Sequence, residues 1–161
     1  MGPRGRRWWE VGAGVTEALH EPIIGTYDHT IDGKGRVVLP QVYRGLFQDG
    51  VKLSNRGEYL AVFPAAEWRR YSSLLEERCL AGQVPRRRLD RIYANTFNAT
   101  LDSQGRVLVT QRQRDAYDLV GDVRFRGHGN HLGLYPRVTD EVEDDTESLA
   151  DIFADLSAIG L

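Results

Sequence analysis

The chain repeats itself, and the repeat decides what it can fold into. Residues 27–44 align without gaps on residues 97–114, seventy positions later. Thr30, Asp32, Gly35, Arg36, Val37, Gln41 and Arg44 find the same residue types at Thr100, Asp102, Gly105, Arg106, Val107, Gln111 and Arg114. After a shift of two positions the match resumes, with Val51 to Leu53 against Val123 to Phe125 and Leu60 to Pro64 against Leu132 to Pro136. Self-similarity at a fixed period means that one supersecondary unit is used twice, and a unit this short cannot bury a core alone.

Each copy has a readable local structure. Thr30-Ile31-Asp32 and Arg36 to Leu39 are β-branched and apolar runs separated by Gly33-Lys34-Gly35, which reads as two strands and a tight turn. Leu101-Asp102, Ser103-Gln104-Gly105 and Arg106 to Val109 read the same way. Gly35 and Gly105 are expected to supply positive φ. Asp32 and Asp102 are expected to close the turns by accepting backbone N–H groups two or three residues on. A short helical segment from Gln41 to Phe47 follows, then strands from Gly50 to Leu53 and Tyr59 to Phe63 around an Asn55-Arg56-Gly57 turn. The unit is therefore β, turn, β, short helix, β, turn, β. Its strand edges are open, and two copies can cover each other's edges by closing a barrel.

Between the copies lies the helical part. Trp68, Tyr71, Leu74 and Leu75 recur at spacings of three and four behind Pro64, and Leu89, Ile92 and Tyr93 share one face of a second helix opposite a run of arginines. The working boundaries are an N-terminal extension over 1–22, a first repeat over 23–70, a helical connector over 71–95, a second repeat over 96–138 and an acidic tail over 139–161. The tail is expected to hold a short helix over Glu147 to Leu156 or to be a solubilising, disordered segment.

Charge divides along the chain. The formal net charge is −2, but residues 139–161 hold eight acids and no Lys or Arg, so all 21 bases sit in residues 1–138 against fifteen of the 23 acids. A basic body of this kind suits a polyanion. The single cysteine, Cys79, excludes an internal disulfide and fits a reducing compartment. No run of about eighteen apolar residues reads as a membrane span. The expectation is a cytoplasmic protein without membrane contact.

Enzyme chemistry finds no constellation. His128 and His131 lie three apart, yet no Cys or carboxylate pair is near them in sequence, and a zinc site needs three or four ligands. They read as structural or exposed histidines. No phosphate-binding glycine loop or nucleophile elbow occurs. No catalytic residue, metal, cofactor or small-molecule substrate is expected.

DHTIDGKGRVVLP followed by QVYR, the strand ending LAVFP, the helix with EW, then DSQGRVLV, RQRDAYDL and NHLGLYP resemble the MraZ family, tandem-repeat relatives of AbrB-type regulators. The resemblance covers about 23–136. It implies an α+β, mainly β fold: a duplicated swapped-hairpin, AbrB-like (double-psi-type) β-barrel with inserted and C-terminal helices. It also implies ring-shaped homo-oligomers and binding of double-stranded DNA at short direct repeats upstream of the division and cell-wall genes, the protein's own promoter included. Carried onto this sequence, the DNA-contacting residues would be Lys34 and Arg36 in the first copy and Gln104 and Arg106 in the second, supported by Arg44 and Arg114. The copies differ where Lys34 faces Gln104 and Pro40 faces Thr110, so the second is expected to hold phosphate more weakly. Residues 1–22, with Arg4, Arg6, Arg7, Trp8 and Trp9, precede the resemblance and are expected to be an upstream-start artefact or a disordered basic arm. The alternative is an AbrB-like antitoxin that binds a toxin through its tail, although such antitoxins usually carry one copy of the unit.

Overall fold

Alternation along the strands dictates which face each one buries. Val37 and Val107, and Leu39 and Val109 just beyond, are fully buried, while their neighbours Arg36, Val38, Arg106 and Leu108 are not. The computed structural model describes residues 19–137 and 147–161. The expectation for residues 1–18, and for the tail between 138 and 146, falls outside the described residues.

The elements run in the order that the repeat dictates. The first copy holds β1 (Thr26–Ile31), β2 (Arg36–Val38), a 3-10 segment (Gln41–Phe47), β3 (Val51–Asn55) and β4 (Leu60–Pro64). Helices α1 (Ala65–Leu80) and α2 (Arg86–Ala94) follow, each entered from a proline, Pro64 and Pro85. The second copy holds β5 (Thr96–Ala99), β6 (Arg106–Leu108), α3 (Gln111–Ala116), β7 (Gly121–Gly127) and β8 (Leu132–Pro136). A last helix, α4 (Leu149–Ala158), lies in the tail, where Ser148 caps its N-terminus by accepting the Asp151 N–H at 3.1 Å.

Eight antiparallel strands form one sheet in the order β5-β3-β4-β8-β7-β1-β2-β6. Four of its seams join one copy to the other: β1 with β7, β5 with β3, β2 with β6 and β4 with β8. The two strands at the ends of that order, β5 and β6, are joined in sequence by the Asp102 turn. The Asp102 N–H donates to the Arg106 carbonyl at 2.9 Å, as the Asp32 N–H does to Arg36 at 3.0 Å. The result is a nearly closed barrel with exchanged hairpins, the AbrB-like architecture that the resemblance implies.

The barrel holds one shared core to which matched positions contribute: Val37 and Val107, Leu39 and Val109, Val51 and Val123, Leu53 and Phe125, Leu60 and Leu132, Val62 and Leu134. Apolar burial drives the closure, since neither half encloses these side chains without the other. Outside the barrel the copies part company. On β4, Ala61 and Phe63 face outward into a second cluster with Trp68, Tyr71, Ile92 and Tyr93, so α1 and α2 cover this strand. On β8 the outward face carries Gly133 and Tyr135, and its cover is a stack of rings instead.

Those rings are Tyr59, His128, His131 and Tyr135. Tyr59 stacks on His128 at 4.7 Å and His128 on His131 at 5.0 Å between centroids. His131 Nε2 bonds the Tyr59 hydroxyl at 2.9 Å, and His128 Nε2 bonds the Tyr135 hydroxyl at 2.8 Å. Burial, then the nearby Arg56 and His128 charges, pushes His131 down to about 3. It therefore packs as a neutral aromatic. Among the described residues no group of three or more His, Cys, Asp or Glu is placed to hold a metal ion, and no helix is long and apolar enough to cross a membrane.

Candidate nucleic-acid interface

The two Asp-x-x-Gly-Arg segments fold into the same turn. In the first, the Lys34 and Arg36 N–H groups both donate to Asp32 Oδ1 at 2.9 Å, and Arg36 Nε donates to Asp32 Oδ2 at 2.8 Å. In the second, the Gln104 and Arg106 N–H groups donate to Asp102 Oδ1 at 2.9 Å, and Arg106 Nε donates to Oδ2 at 2.7 Å. The carboxylates thus accept from residues two and four positions on, and they also orient the arginines. Gly35 and Gly105 take φ of +89° and +75°, and their N–H groups donate to the Asp32 and Asp102 carbonyls at 3.0 Å. A side chain at either glycine would be strained.

Three donors on one carboxylate favour its charged form. The Arg36 backbone N–H, followed by the Arg36 side chain and the Lys34 N–H, holds Asp32 down to about 2, and Asp102 is lowered for the same reasons. A carboxylate depressed in the folded state stabilises fully above its ordinary value near 4 and loses that contribution as pH falls through the folded value. The Lys34 and Arg36 amide resonances should accordingly titrate with a midpoint near 2, and Asp32→Asn should remove the transition from the first turn alone. A midpoint near 4 would mean that the turn bonds do not form in solution.

The register of β2 and β6 sets where the arginines go. Arg36 pairs with Leu108, Val37 with Val107 and Val38 with Arg106. Since Val37 and Val107 point into the core, Arg36 and Arg106 share the outward face and are diagonal neighbours, roughly 7–8 Å apart at this kind of position. The outward face of this two-stranded ribbon carries Arg36, Val38, Arg106 and Leu108, with the exposed Lys34 and Gln104 in the turns at its two ends. The Nη groups of both arginines have no hydrogen-bond partner among the described residues.

Arg44 and Arg114 sit behind the turns rather than on this face, and each serves the opposite copy. Arg114 donates through Nε to the Val109 carbonyl at 3.2 Å and through Nη1 to the Gly33 carbonyl at 3.3 Å. It therefore lies against the Gly35 turn. Arg44 donates to the Leu39 carbonyl at 3.3 Å, and its side chain lies against Gly105. The turns are tied into the facing strands as well: the Val109 N–H donates to the Gly35 carbonyl at 2.7 Å, and the Leu39 N–H to the Gly105 carbonyl at 3.0 Å. This exchange escaped the sequence reading, although one signal was available: the same arginine recurs at Arg44 and Arg114, eight residues after each motif arginine.

Thr110 and Pro40 fill one position in two ways. Thr110 caps α3, its hydroxyl accepting the Gln113 N–H at 3.3 Å in a reciprocal capping box, whereas Pro40 leads into the 3-10 segment with no side-chain cap. The difference at this position is thus one of helix entry.

The model of a family described as "MraZ protein, putative antitoxin-like" matches the chain twice, over residues 23–91 and 92–151. The chain belongs to the MraZ family. It is 36% identical over 112 residues to the Transcriptional regulator MraZ of Deinococcus radiodurans, covering 69% of this chain and 79% of that one. It is 32% identical over 138 residues to the regulator of the same name from Bifidobacterium longum, covering 83% and 91%. Against that of Roseiflexus sp. it is 28% identical over 134 residues, covering 81% and 93%. MraZ relatives are thus named as transcriptional regulators, and the two family matches divide this chain within α2, between its two barrel copies.

Proposed function

We propose that this MraZ protein is a sequence-specific DNA-binding regulator in the cytoplasm, associated with the nucleoid and acting on the division and cell-wall gene cluster, its own promoter included. The observation that carries the reading is the β2–β6 ribbon, which sets Arg36 and Arg106 on one outward face with Lys34 and Gln104 at its ends. A two-stranded antiparallel ribbon has the width to enter the major groove, where an arginine fork meets guanine O6 and N7. Asp32 and Asp102 fix Nε of each arginine and leave its outer edge for a base or a phosphate. Arg44 and Arg114 act as positioning residues that hold the turns from behind.

One ribbon neutralises only a few phosphates, so a single chain binds weakly and with strong salt dependence. Short direct repeats answered by a ring of chains raise the effective concentration and add affinity without new contacts. No enzymatic step is assigned. The family's antitoxin-like description supports a second reading, in which the tail captures a toxin partner. The ribbon favours the first.

A gel shift with the DNA upstream of the protein's own gene, run over a salt series, tests the reading. Binding should fall steeply between 50 and 200 mM salt, by about a thousandfold for an assembly making six or more phosphate contacts. A flat salt response, or equal binding to unrelated DNA, would contradict it.

A further inference from the structure

The outward face of the β2–β6 ribbon carries two aliphatic side chains that its role in gripping a polyanion does not require. Leu108 is 54% exposed and Val38 is partly exposed, both pointing away from the core that Val37 and Val107 enter. The neighbouring strands β1 and β7 are different. With Val123 and Phe125 buried, their outward positions are Thr26, Asp28, Thr30, Asp122, Arg124 and Arg126, all of them polar.

A lone surface leucine is ordinary, but the register makes these two part of a pattern. Arg36 lies directly across from Leu108, and Arg106 directly across from Val38. Side chains paired in this way start from Cβ atoms about 5 Å apart. Arg36 also has Val38 two residues along its own strand, as Arg106 has Leu108. The four outward positions therefore form a checkerboard in which each cation is flanked by aliphatic groups, and each copy supplies one of each kind.

The major groove has features that match this pattern. Guanine presents two acceptors, O6 and N7, whereas thymine presents the C5-methyl group, which no other base carries. An arginine beside an aliphatic side chain is complementary to a guanine beside a thymine. Base pairs are about 3.4 Å apart along the axis, so side chains rooted about 5 Å apart can meet neighbouring pairs.

We propose that Leu108 and Val38 are specificity-determining residues that read thymine C5-methyl groups next to the guanines met by Arg36 and Arg106. The inference rests on the ribbon reading above and deepens it. The arginines recognise guanine and neutralise phosphate, and the aliphatic pair selects thymine over cytosine at the adjoining positions. Leu108 is the longer of the two and faces Arg36, whose turn also carries Lys34, so the Arg36–Leu108 pair makes the larger contribution.

Uracil differs from thymine only in lacking this methyl, so promoter DNA synthesised with deoxyuridine in place of thymidine tests the proposal without changing a hydrogen-bonding group. Burying one such carbon contributes about fourfold in affinity. In a gel-shift titration the parent protein should bind the uracil form about fourfold more weakly for each thymine that a ribbon contacts. A protein carrying Val38→Ser and Leu108→Ser should bind the two forms equally. If that double variant does not fold, either single variant serves, with the thymine preference expected to fall by the share of one copy. Equal binding of the two forms by the parent overturns the methyl reading, while its salt-sensitive, promoter-specific binding would leave the ribbon reading standing. A uracil effect of undiminished size in the serine variants also overturns it, because the loss would then come from altered DNA stiffness rather than from a missing methyl contact. A parent protein that binds neither form removes both readings.

Discussion

Replacing Arg36 with alanine should weaken promoter binding by about 5- to 150-fold per chain while leaving the fold intact. The figure follows from a bidentate arginine–guanine contact of about 1–3 kcal/mol, at about 1.4 kcal/mol per tenfold. In an assembly that places several chains on repeated sites, the losses compound. The large effect comes from preorganisation: Asp32 already holds Nε at 2.8 Å and the backbone N–H at 2.9 Å, so the outer edge of the guanidinium is aimed before DNA arrives. Stability should move little. The Asp32–Arg36 pair is more than one-third exposed on both sides, 36% and 39%, and water screens such pairs so that they add little to stability. Arg36→Lys keeps the charge but loses the fork, so it should retain salt-sensitive, nonspecific binding and lose discrimination between operator and unrelated DNA. Arg106→Ala should cost less than Arg36→Ala, because Gln104 brings no second charge beside it. Normal operator binding by the Arg36→Ala protein would sink the ribbon reading, and an unfolded protein would make Arg36 structural.

How much of this was legible before the structure depends on whether a residue acts within its own copy or across the pair. Asp32 and Gly35 act locally, and their types at that spacing announce a closed turn with positive φ. The closed barrel follows from the open edges of a unit that occurs twice, whereas the exchange of hairpins came only with the family resemblance. In sequence Arg36 is only a DNA contact implied by the resemblance, whereas in the fold Asp32 also holds it by Nε. That bond depends on the turn bringing the arginine's side chain back over the carboxylate, which spacing alone does not state. Arg44 and Arg114 were further out of reach. Each follows its own motif in sequence but packs behind the other copy's glycine, and contacts across 61 and 79 residues leave no periodicity. His128 and His131 show a third limit. Sequence weighed them as metal ligands and favoured a structural role without finding their partners, which lie on β4's approach and β8 and cover an outer face that α1 and α2 cover on β4.

Gly35→Ala should be among the most destabilising single-methyl changes in the chain, and it should be worse than Gly105→Ala for a reason the turns make explicit. Both glycines have positive φ, and a non-glycine residue there costs about 1–3 kcal/mol. The space differs. A Cβ at Gly35 would lie 2.3 Å from the Val109 carbonyl oxygen, which is backbone and is held by the Arg114 Nε–H. At Gly105 the three atoms nearest to a Cβ all belong to the Arg44 side chain, with Nε at 2.2 Å, and a side chain can move. Overpacking against a fixed neighbour adds about 1–3 kcal/mol to the roughly 1–3 kcal/mol of positive φ, so Gly35→Ala should cost about 2–6 kcal/mol, above Gly105→Ala at about 1–3. At about 2–4 °C per kcal/mol, the first should melt roughly 10 °C below the parent at equal protein concentration. Gly33→Ala is the control: no atom lies within 4 Å of its Cβ, and the change should stay within about 0.5 kcal/mol. Double variants then separate the causes. Arg44→Ala should recover part of the Gly105→Ala loss by emptying the space that its Cβ needs. Arg114→Ala should recover little in Gly35→Ala, because the Val109 oxygen stays in place. Equal recovery at both turns would mean that backbone contact does not distinguish them, and that the strain at positive φ alone sets the cost.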